Sequence, residues 1–132
     1  MPENQLPKAL FWPHPVYAGF PSPGDDYIEP PLNLHDLVVT HPLTTYFIRV
    51  SGDSMSGACI CAGDVVVVDR ALTVANNKIV VARVGKDLLL KRVLVRQRKI
   101  FLHPDPPGYP VIELSKQDEI WGVVTHCIHS IR

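Results

Sequence analysis

The pattern of apolar and polar positions changes about a third of the way along the chain. From Tyr46 onward, short β-branched and aliphatic runs are broken by Gly, Asp and Asn, which is typical of strands joined by tight turns. Strands are predicted at residues 46–50, 65–69, 78–84, 88–95, 100–103, 111–114 and 120–131. Turns are predicted at residues 62–64, 76–77, 85–87 and 106–108. We therefore expect a mainly β fold, as a single folded-over and mostly antiparallel domain.

The first 31 residues have a different character. They contain eight of the 13 prolines, and proline removes a backbone donor and restricts φ. Phe11, Trp12 and Tyr17 give the segment apolar anchors, which a fully solvated linker would lack. The sequence thus predicts an extended N-terminal arm at residues 1–31, docked on a β-rich domain at residues 32–132. Within that domain, residues 33–40 are predicted to form a short helix with Asn33 as its N-cap.

Composition narrows the classes of function. Acidic and basic residues number 13 each, so no overall positive field exists to hold DNA, and direct specific DNA binding is not expected. Apolar runs reach only five to seven residues, against the roughly 20 that a membrane-spanning helix requires. Three cysteines and no visible signal peptide favour free thiols in a reducing compartment. We expect a cytoplasmic protein without membrane contact.

One serine lies in a turn that could expose it. The run SGDSM at residues 51–55 directly follows the first predicted strand. Its glycine and short polar residues suit a tight turn with the Ser54 hydroxyl at the surface. Serines in turns usually cap backbone groups, so Ser54 alone is weak evidence for a nucleophile.

A lysine in an apolar strand is the second unusual feature. Residues 88–95, LLLKRVLV, are apolar on both alternating faces except at Lys91 and Arg92, so one of these cations must face buried surface. On an edge strand, Lys91 could extend its aliphatic stem to water. If Lys91 is buried, desolvation favours the neutral amine, since burial can lower a lysine pKa by several units from about 10.4. A neutral lysine can act as general base for a serine, so Ser54 and Lys91 could form a minimal acyl-transfer pair.

These features together resemble a known family. VSGDSM at residues 50–55, the pairs Gly63-Asp64 and Val68-Asp69, and a lysine 37 positions after Ser54 resemble the peptidase domain of the LexA/UmuD-type serine-lysine self-cleaving peptidases. The similarity is greatest to the UmuD-type members. It includes AGFPSP at residues 18–23, TYF at 45–47 and GVVTH at 122–126, so it covers nearly the whole chain.

The resemblance implies a role for each matching residue. Ser54 is the expected nucleophile and Lys91 the expected general base. The main-chain amides of Asp53 and Ser54 are the expected oxyanion hole. The expected cleavage site is the bond between Ala18 and Gly19. Ala18 stands where the best-known UmuD has cysteine, but LexA-type repressors have alanine there, and both side chains are small.

The resemblance also implies a cellular role. Such proteins act in the SOS response to DNA damage, form homodimers and need no cofactor. A filament of RecA on single-stranded DNA stimulates their self-cleavage, and the processed dimer joins a UmuC-like Y-family DNA polymerase for translesion synthesis. A LexA-type repressor is not expected, because the 18 residues before Gly19 contain four prolines and are too few for a DNA-binding domain. The alternative is a non-catalytic β-module that binds a partner through its arm or sheet edge.

The cysteines and histidines allow two other interpretations. Soft metal ligands could come from Cys59, Cys61, His126, Cys127 and His129. The single residue between Cys59 and Cys61 does not match common zinc modules, so no metal is expected and the thiols are predicted to be small buried side chains. His103 or His126 could pair with a serine, but no neighbouring acidic residue suggests an orienting third member.

Overall fold

The computed structural model describes residues 16, 18–19, 32–53, 55–105 and 110–131. The chain divides between Leu37 and Val38 into two units. The predicted arm at residues 1–31 lies mostly outside the described residues, so the division into residues 1–31 and 32–132 stays a prediction. No helix in the described ranges is long and apolar enough to cross a membrane.

The helix α1, Leu34–Val38, begins where the sequence predicts. The main-chain N–H of Asp36 donates to Asn33 Oδ1 at 3.2 Å, and the N–H of Leu37 donates to the Asn33 carbonyl at 3.0 Å. These bonds confirm Asn33 as the N-cap, because the cap side chain satisfies an N–H that has no partner inside the helix. The helix ends two residues earlier than predicted.

Seven strands form a single sheet in the described part of the chain. Their bounds are β1 Thr45–Arg49, β2 Val65–Asp69, β3 Ile79–Val84, β4 Asp87–Arg96, β5 Lys99–His103, β6 Ile112–Glu113 and β7 Glu119–Ile128. The order in the sheet is β1-β2-β7-β3-β4-β5-β6, and every neighbouring pair is antiparallel. The prediction of a mainly β, antiparallel domain is confirmed, and each predicted strand is present with ends displaced by at most three residues.

The strand β2 shows why the sequence forms a sheet buried on both sides. Val66 and Val68 point into a core cluster with Met55 and Ile60, while Val67 contacts Val38 and Val39 on the opposite face. Successive side chains of a strand point to opposite faces. A continuous run of valines is therefore favourable here, because both faces of this interior strand are covered.

The same alternation continues along β3 and sets the second core cluster. Val80 and Ala82 pack with Val93, Leu102 and Val123, while Val81 belongs to the cluster around Met55. Each fully buried valine contributes roughly 1.5–3 kcal/mol relative to an exposed one. Strand β3 is therefore stabilised from both faces.

Two local features fix how the strands meet. A Cβ at Gly122 on β7 would lie 2.6 Å from Val68 Cγ1, so a side chain at this position would force β7 away from β2.

The turn between β4 and β5 consists of Gln97 and Arg98, both with positive φ, at 50° and 65°. Such turns usually carry Asn or Gly, and the sequence did not predict this one. The turn predicted at residues 106–108 lies outside the described residues.

Candidate active site

The turn that carries the expected nucleophile is anchored on both sides of Ser54. Ser54 itself lies outside the described residues. Met55 is only 2 % exposed and packs against Ile60 and Val66. The N–H of Ser56 donates to the Asp53 carbonyl at 3.0 Å, and a short 3-10 helix, Ser56–Ala58, follows. This bond links Asp53 to Ser56 next to the buried Met55, while the exposure of the Ser54 hydroxyl and the oxyanion role of Asp53 and Ser54 stay predictions.

Lys91 lies on an interior strand. Strand β4 is hydrogen-bonded to β3 on one side and to β5 on the other, and Lys91 is 9 % exposed. Its partner across the sheet is Val80, which is fully buried. The edge-strand explanation is thus wrong, because β4 has neighbours on both sides. A buried lysine is what the base hypothesis requires, and the role of Lys91 stays a prediction.

The neighbouring cation, Arg92, points to the opposite face and forms an ion pair. Its Nε and Nη2 lie 2.8 Å and 2.7 Å from Asp105 Oδ2, and its Nη1 donates to the Asn77 carbonyl at 2.7 Å. The main-chain carbonyl of Asp105 accepts the N–H of Gly57 at 2.8 Å. Asp105 therefore connects the turn after Ser54 to the strand that carries Lys91, a role that no sequence signal indicated.

An apolar cleft borders both of these elements. Its volume is about 270 Å³, and its lining includes Val50 and Ser51 before the nucleophile turn and Leu88, Leu89 and Leu90 before Lys91. A cleft with apolar walls can hold an extended peptide while excluding water from the reacting bond. The arrangement thus places a peptide-sized groove beside both segments predicted to supply catalysis.

The two aspartates of the family motif are buried and serve the fold. Asp69, at the end of β2, accepts hydrogen bonds from Thr44 Oγ1 at 3.0 Å and the Ala71 N–H at 2.8 Å, and its other oxygen bonds His41 Nδ1. Burial acts to raise the pKa of Asp69, but the bonds from His41, Ala71 and Thr44 outweigh it and lower the pKa below its ordinary value. Asp69 thereby holds the segment before β1 against the sheet.

Asp64 connects the loop before β2 to the end of β7. Its carboxylate accepts the Cys61 N–H at 2.8 Å and bonds His129 Nδ1 at 2.6 Å, and Cys127 Sγ lies 3.5 Å away. The Cys61 hydrogen bond is the main cause that lowers the pKa of Asp64, against the opposing effect of burial. Burial and the nearby Asp64 carboxylate raise the pKa of the Cys127 thiol to about 11.

The expectation that the thiols are small buried side chains is wrong for Cys59 and Cys127. Cys59 and Cys127 are exposed and Cys61 is half-buried, all three as free thiols. Cys59 reaches the surface because it ends the 3-10 helix in a left-handed conformation, with φ of 63°. An acidic residue does lie near His103, since its Nδ1 is 4.0 Å from Asp105 Oδ1. That distance exceeds a hydrogen bond, and the Asp105 carboxylate is bonded to Arg92 instead.

The residues of the expected cleavage site belong to the first unit. Ala18 and Gly19 are both exposed, so this peptide bond is accessible to solvent. A Cβ added at Gly19 would meet no atom within 4 Å in the described part of the chain. Exposure of a small-residue pair is compatible with a cleavage site, and the position of the cut stays a prediction.

The sequence and the fold match a defined class of peptidase. The family model described as "Peptidase S24-like" matches residues 11–125. The chain belongs to the S24 peptidase family, which confirms the resemblance to LexA/UmuD-type peptidases found in the sequence.

Three relatives show which members of the family this chain is similar to. The chain is 45% identical to Protein MucA of Salmonella typhimurium over 120 residues, 89% of this chain and 82% of MucA. It is 41% identical to Protein ImpA of Salmonella typhimurium over 117 residues, 87% of this chain and 79% of ImpA. It is 34% identical to the LexA repressor of Cellvibrio japonicus over 110 residues, 82% of this chain and 54% of the repressor. The family and these relatives support an SOS-related, self-cleaving serine peptidase.

Proposed function

We propose that Ser54 and Lys91 are the catalytic pair of this peptidase and that its substrate is its own Ala18–Gly19 bond. The observation that supports this assignment best is the position of Lys91, a buried lysine on an interior strand. Burying a lysine amine is costly unless its neutral form or a specific contact compensates. Val93, the other buried residue of β4, is apolar, and the proposed base function accounts for a lysine at the buried position 91.

In the proposed reaction, one amine, Lys91 Nζ, accepts and returns the protons. Lys91 Nζ accepts the Ser54 hydroxyl proton as Oγ attacks the Ala18 carbonyl carbon. The main-chain N–H groups of Asp53 and Ser54 donate to the oxyanion that forms. The Lys91 ammonium then returns the proton to the Gly19 nitrogen as the C–N bond breaks. Water, deprotonated by the same amine, releases Ala18 from the acyl-enzyme.

The apolar cleft suits the part of the arm that contains the proposed scissile bond. The residues before the scissile bond, Val16 and Tyr17, are apolar and suit the leucine-lined groove beside Val50. Pro15 and Pro21 restrict the length over which this segment can pair as a strand. We propose that the arm binds in extended form, with the short side chains of Ala18 and Gly19 at the nucleophile.

The proposed cellular role follows from the family. Cleavage is stimulated by a filament of RecA on single-stranded DNA, which favours the conformation in which the arm occupies the active site. The processed protein acts as a homodimer and as a subunit of a UmuC-like, error-prone Y-family DNA polymerase. Its similarity to MucA and ImpA over most of each chain supports placing it with the UmuD-type members.

Mass spectrometry of the full chain tests this proposal. After incubation with RecA, single-stranded DNA and a nucleoside triphosphate, we expect a product that spans residues 19–132. A parallel incubation at alkaline pH without RecA is expected to give the same product slowly, because neutral lysine is the reactive form. An unchanged mass under both conditions would favour the non-catalytic β-module instead.

We expect Asp105→Ala to slow self-cleavage without unfolding the protein. The substitution removes the acceptor of the half-buried Arg92 ion pair, so β4 and the nucleophile turn lose part of their alignment. A displacement near 1 Å at reacting atoms can cost up to about a hundredfold in rate, and we expect about tenfold because the Gly57 bond to the main chain of Asp105 remains. Time courses at alkaline pH, with a thermal unfolding curve, measure the effect.

The matched control for Asp105→Ala is Glu119→Ala. It breaks another ion pair, with Arg83 Nε at 3.1 Å, and the other hydrogen bonds of Arg83 go to the carbonyls of Gly85 and Gln117. The control is expected to cleave at the unchanged rate, and Asp105→Asn, which keeps an oxygen acceptor, to fall between the two. Equal rates for Asp105→Ala and Glu119→Ala would refute the positioning role.

A further inference from the structure

A cluster of metal-ligating side chains lies outside the proposed catalytic pair. One ligand atom from each of Cys61, Asp64 and His129 lies within 4.8 Å of the others, and Cys127 Sγ is 3.5 Å from Asp64 Oδ2. These four residues are called the Asp64 cluster below. We propose that the Asp64 cluster binds one zinc ion, which joins the loop before β2 to the end of β7.

The donor set matches zinc chemistry. Zinc takes four ligands in tetrahedral geometry, from thiolate sulfur, imidazole nitrogen and carboxylate oxygen. The Asp64 cluster supplies two sulfurs, one nitrogen and one oxygen. Thiolates with an imidazole select zinc over magnesium and calcium, which prefer oxygen ligands. The cluster therefore has the composition of a soft-metal site.

The two distances to the Asp64 carboxylate are close to those between zinc ligands. Bond lengths of about 2.3 Å to sulfur and about 2.1 Å to oxygen place two tetrahedral ligands about 3.6 Å apart, close to the 3.5 Å between Cys127 Sγ and Asp64 Oδ2. His129 Nδ1, at 2.6 Å from Asp64 Oδ1, must withdraw by less than about 1 Å. The His129 side chain is 40% exposed, so it has room to do so.

The backbone already holds the central ligand in place. Asp64 is 2% exposed, and its main-chain carbonyl accepts the N–H of Val50 at 2.7 Å. The N–H of Cys61 donates to the Asp64 carboxylate at 2.8 Å, which fixes the turn between these two ligands. The buried Asp64 carboxylate thus lies beside sulfur and imidazole donors, the ligand types that zinc takes.

The chain contains its own matched controls. Cys59 lies two positions before Cys61 but is exposed at the end of the 3-10 helix. His126 lies beside Cys127, and its Nδ1 bonds Thr125 Oγ1 at 2.9 Å. Neither belongs to the group of ligand atoms within 4.8 Å, and neither is among the hydrogen-bond partners of the Asp64 carboxylate, whereas Cys127 is. The proposal therefore distinguishes cysteines and histidines that are near neighbours in sequence.

Cobalt and zinc titrations of the full chain test the site. The protein is freed of metal with a chelator, kept reduced, and titrated with Co²⁺, whose sulfur-to-metal charge-transfer band reports thiolate ligands. We expect one Co²⁺ per chain, displaced by Zn²⁺. Cys61→Ser, Cys127→Ser and His129→Ala are each expected to weaken binding by at least about tenfold. Cys59→Ser and His126→Ala are expected to bind as the unchanged protein does.

Thermal unfolding gives a readout that does not depend on the spectroscopy. At a Zn²⁺ concentration about 100 times Kd, binding to the folded state alone raises Tm by roughly 10 °C. The rise should be absent in Cys61→Ser and preserved in Cys59→Ser. No charge-transfer band in the unchanged protein, no rise in Tm, or equal losses in Cys59→Ser and Cys61→Ser would each overturn the proposal and leave Asp64 as a hydrogen-bonded carboxylate.

Discussion

Lys91→Ala is expected to slow self-cleavage by about a thousandfold or more, because general-base catalysis contributes about 10²–10⁴ to such reactions. The serine hydroxyl is a weak nucleophile without a base, and the buried position of Lys91 leaves little room for water to replace the amine. Ser54→Ala is expected to have at least as large an effect, since it removes the attacking oxygen. Product formation at alkaline pH without RecA, followed by mass spectrometry, measures both rates.

Two further substitutions at Lys91 distinguish the loss of the base from the loss of side-chain packing. Lys91→Met fills a similar volume without an ionisable group, so it should fold and remain inactive. Lys91→Arg keeps the positive charge but not the base, because a guanidinium with a pKa above about 12 does not give up its proton. The control is Lys99→Ala, which removes an exposed lysine near Glu113 and should leave the rate unchanged. Measurable cleavage by Lys91→Arg would point to a different base.

Gly19→Glu is expected to block processing completely while leaving the protein folded. A nucleophile must approach the Ala18 carbonyl to about 3 Å, and a long charged side chain on the next residue obstructs that approach. It would also bring an unpaired carboxylate into an apolar groove, which is unfavourable. The fold should tolerate the change, because Gly19 is exposed and a Cβ there meets no described atom within 4 Å.

The matched control for Gly19→Glu is Ala18→Cys. Cysteine is small and stands at this position in the best-known UmuD, so this variant should be cleaved like the unchanged chain. Amino-terminal sequencing of each product identifies the bond that is cut. A first residue other than Gly19, or normal processing of Gly19→Glu, would show that the scissile bond lies elsewhere.

The sequence by itself determined the class of fold and the candidate chemistry. The valine run of β2 and the leucine-rich run around Lys91 predicted strands because β-branched and aliphatic residues favour a pleated, buried surface. The N-cap at Asn33 was predictable because capping depends on residues within one turn. The motif around Ser54 and the lysine 37 positions later identified the family, because residue types and their spacing are explicit in the chain.

Tertiary structure decided which of two adjacent cations is buried. Lys91 and Arg92 occupy opposite faces of β4, and only the pairing of β4 between β3 and β5 buries Lys91 and directs Arg92 to Asp105. The turn at Gln97 and Arg98 has no glycine or asparagine. The pairing of β4 with β5 compensates for its unfavourable backbone conformation.

Asp64 is the clearest example of a residue whose contacts the sequence alone does not reveal. Its partners Cys127 and His129 lie 63 and 65 positions away, so their convergence depends on β7 pairing with β2. The sequence offered five soft ligands, Cys59, Cys61, His126, Cys127 and His129, whereas the folded chain brings Cys61, Cys127 and His129 to Asp64 and leaves Cys59 and His126 apart from it. Local pattern determines which strands form, but contacts between strands distant in sequence determine which side chains meet, because each pairing is selected by burial over the whole sheet.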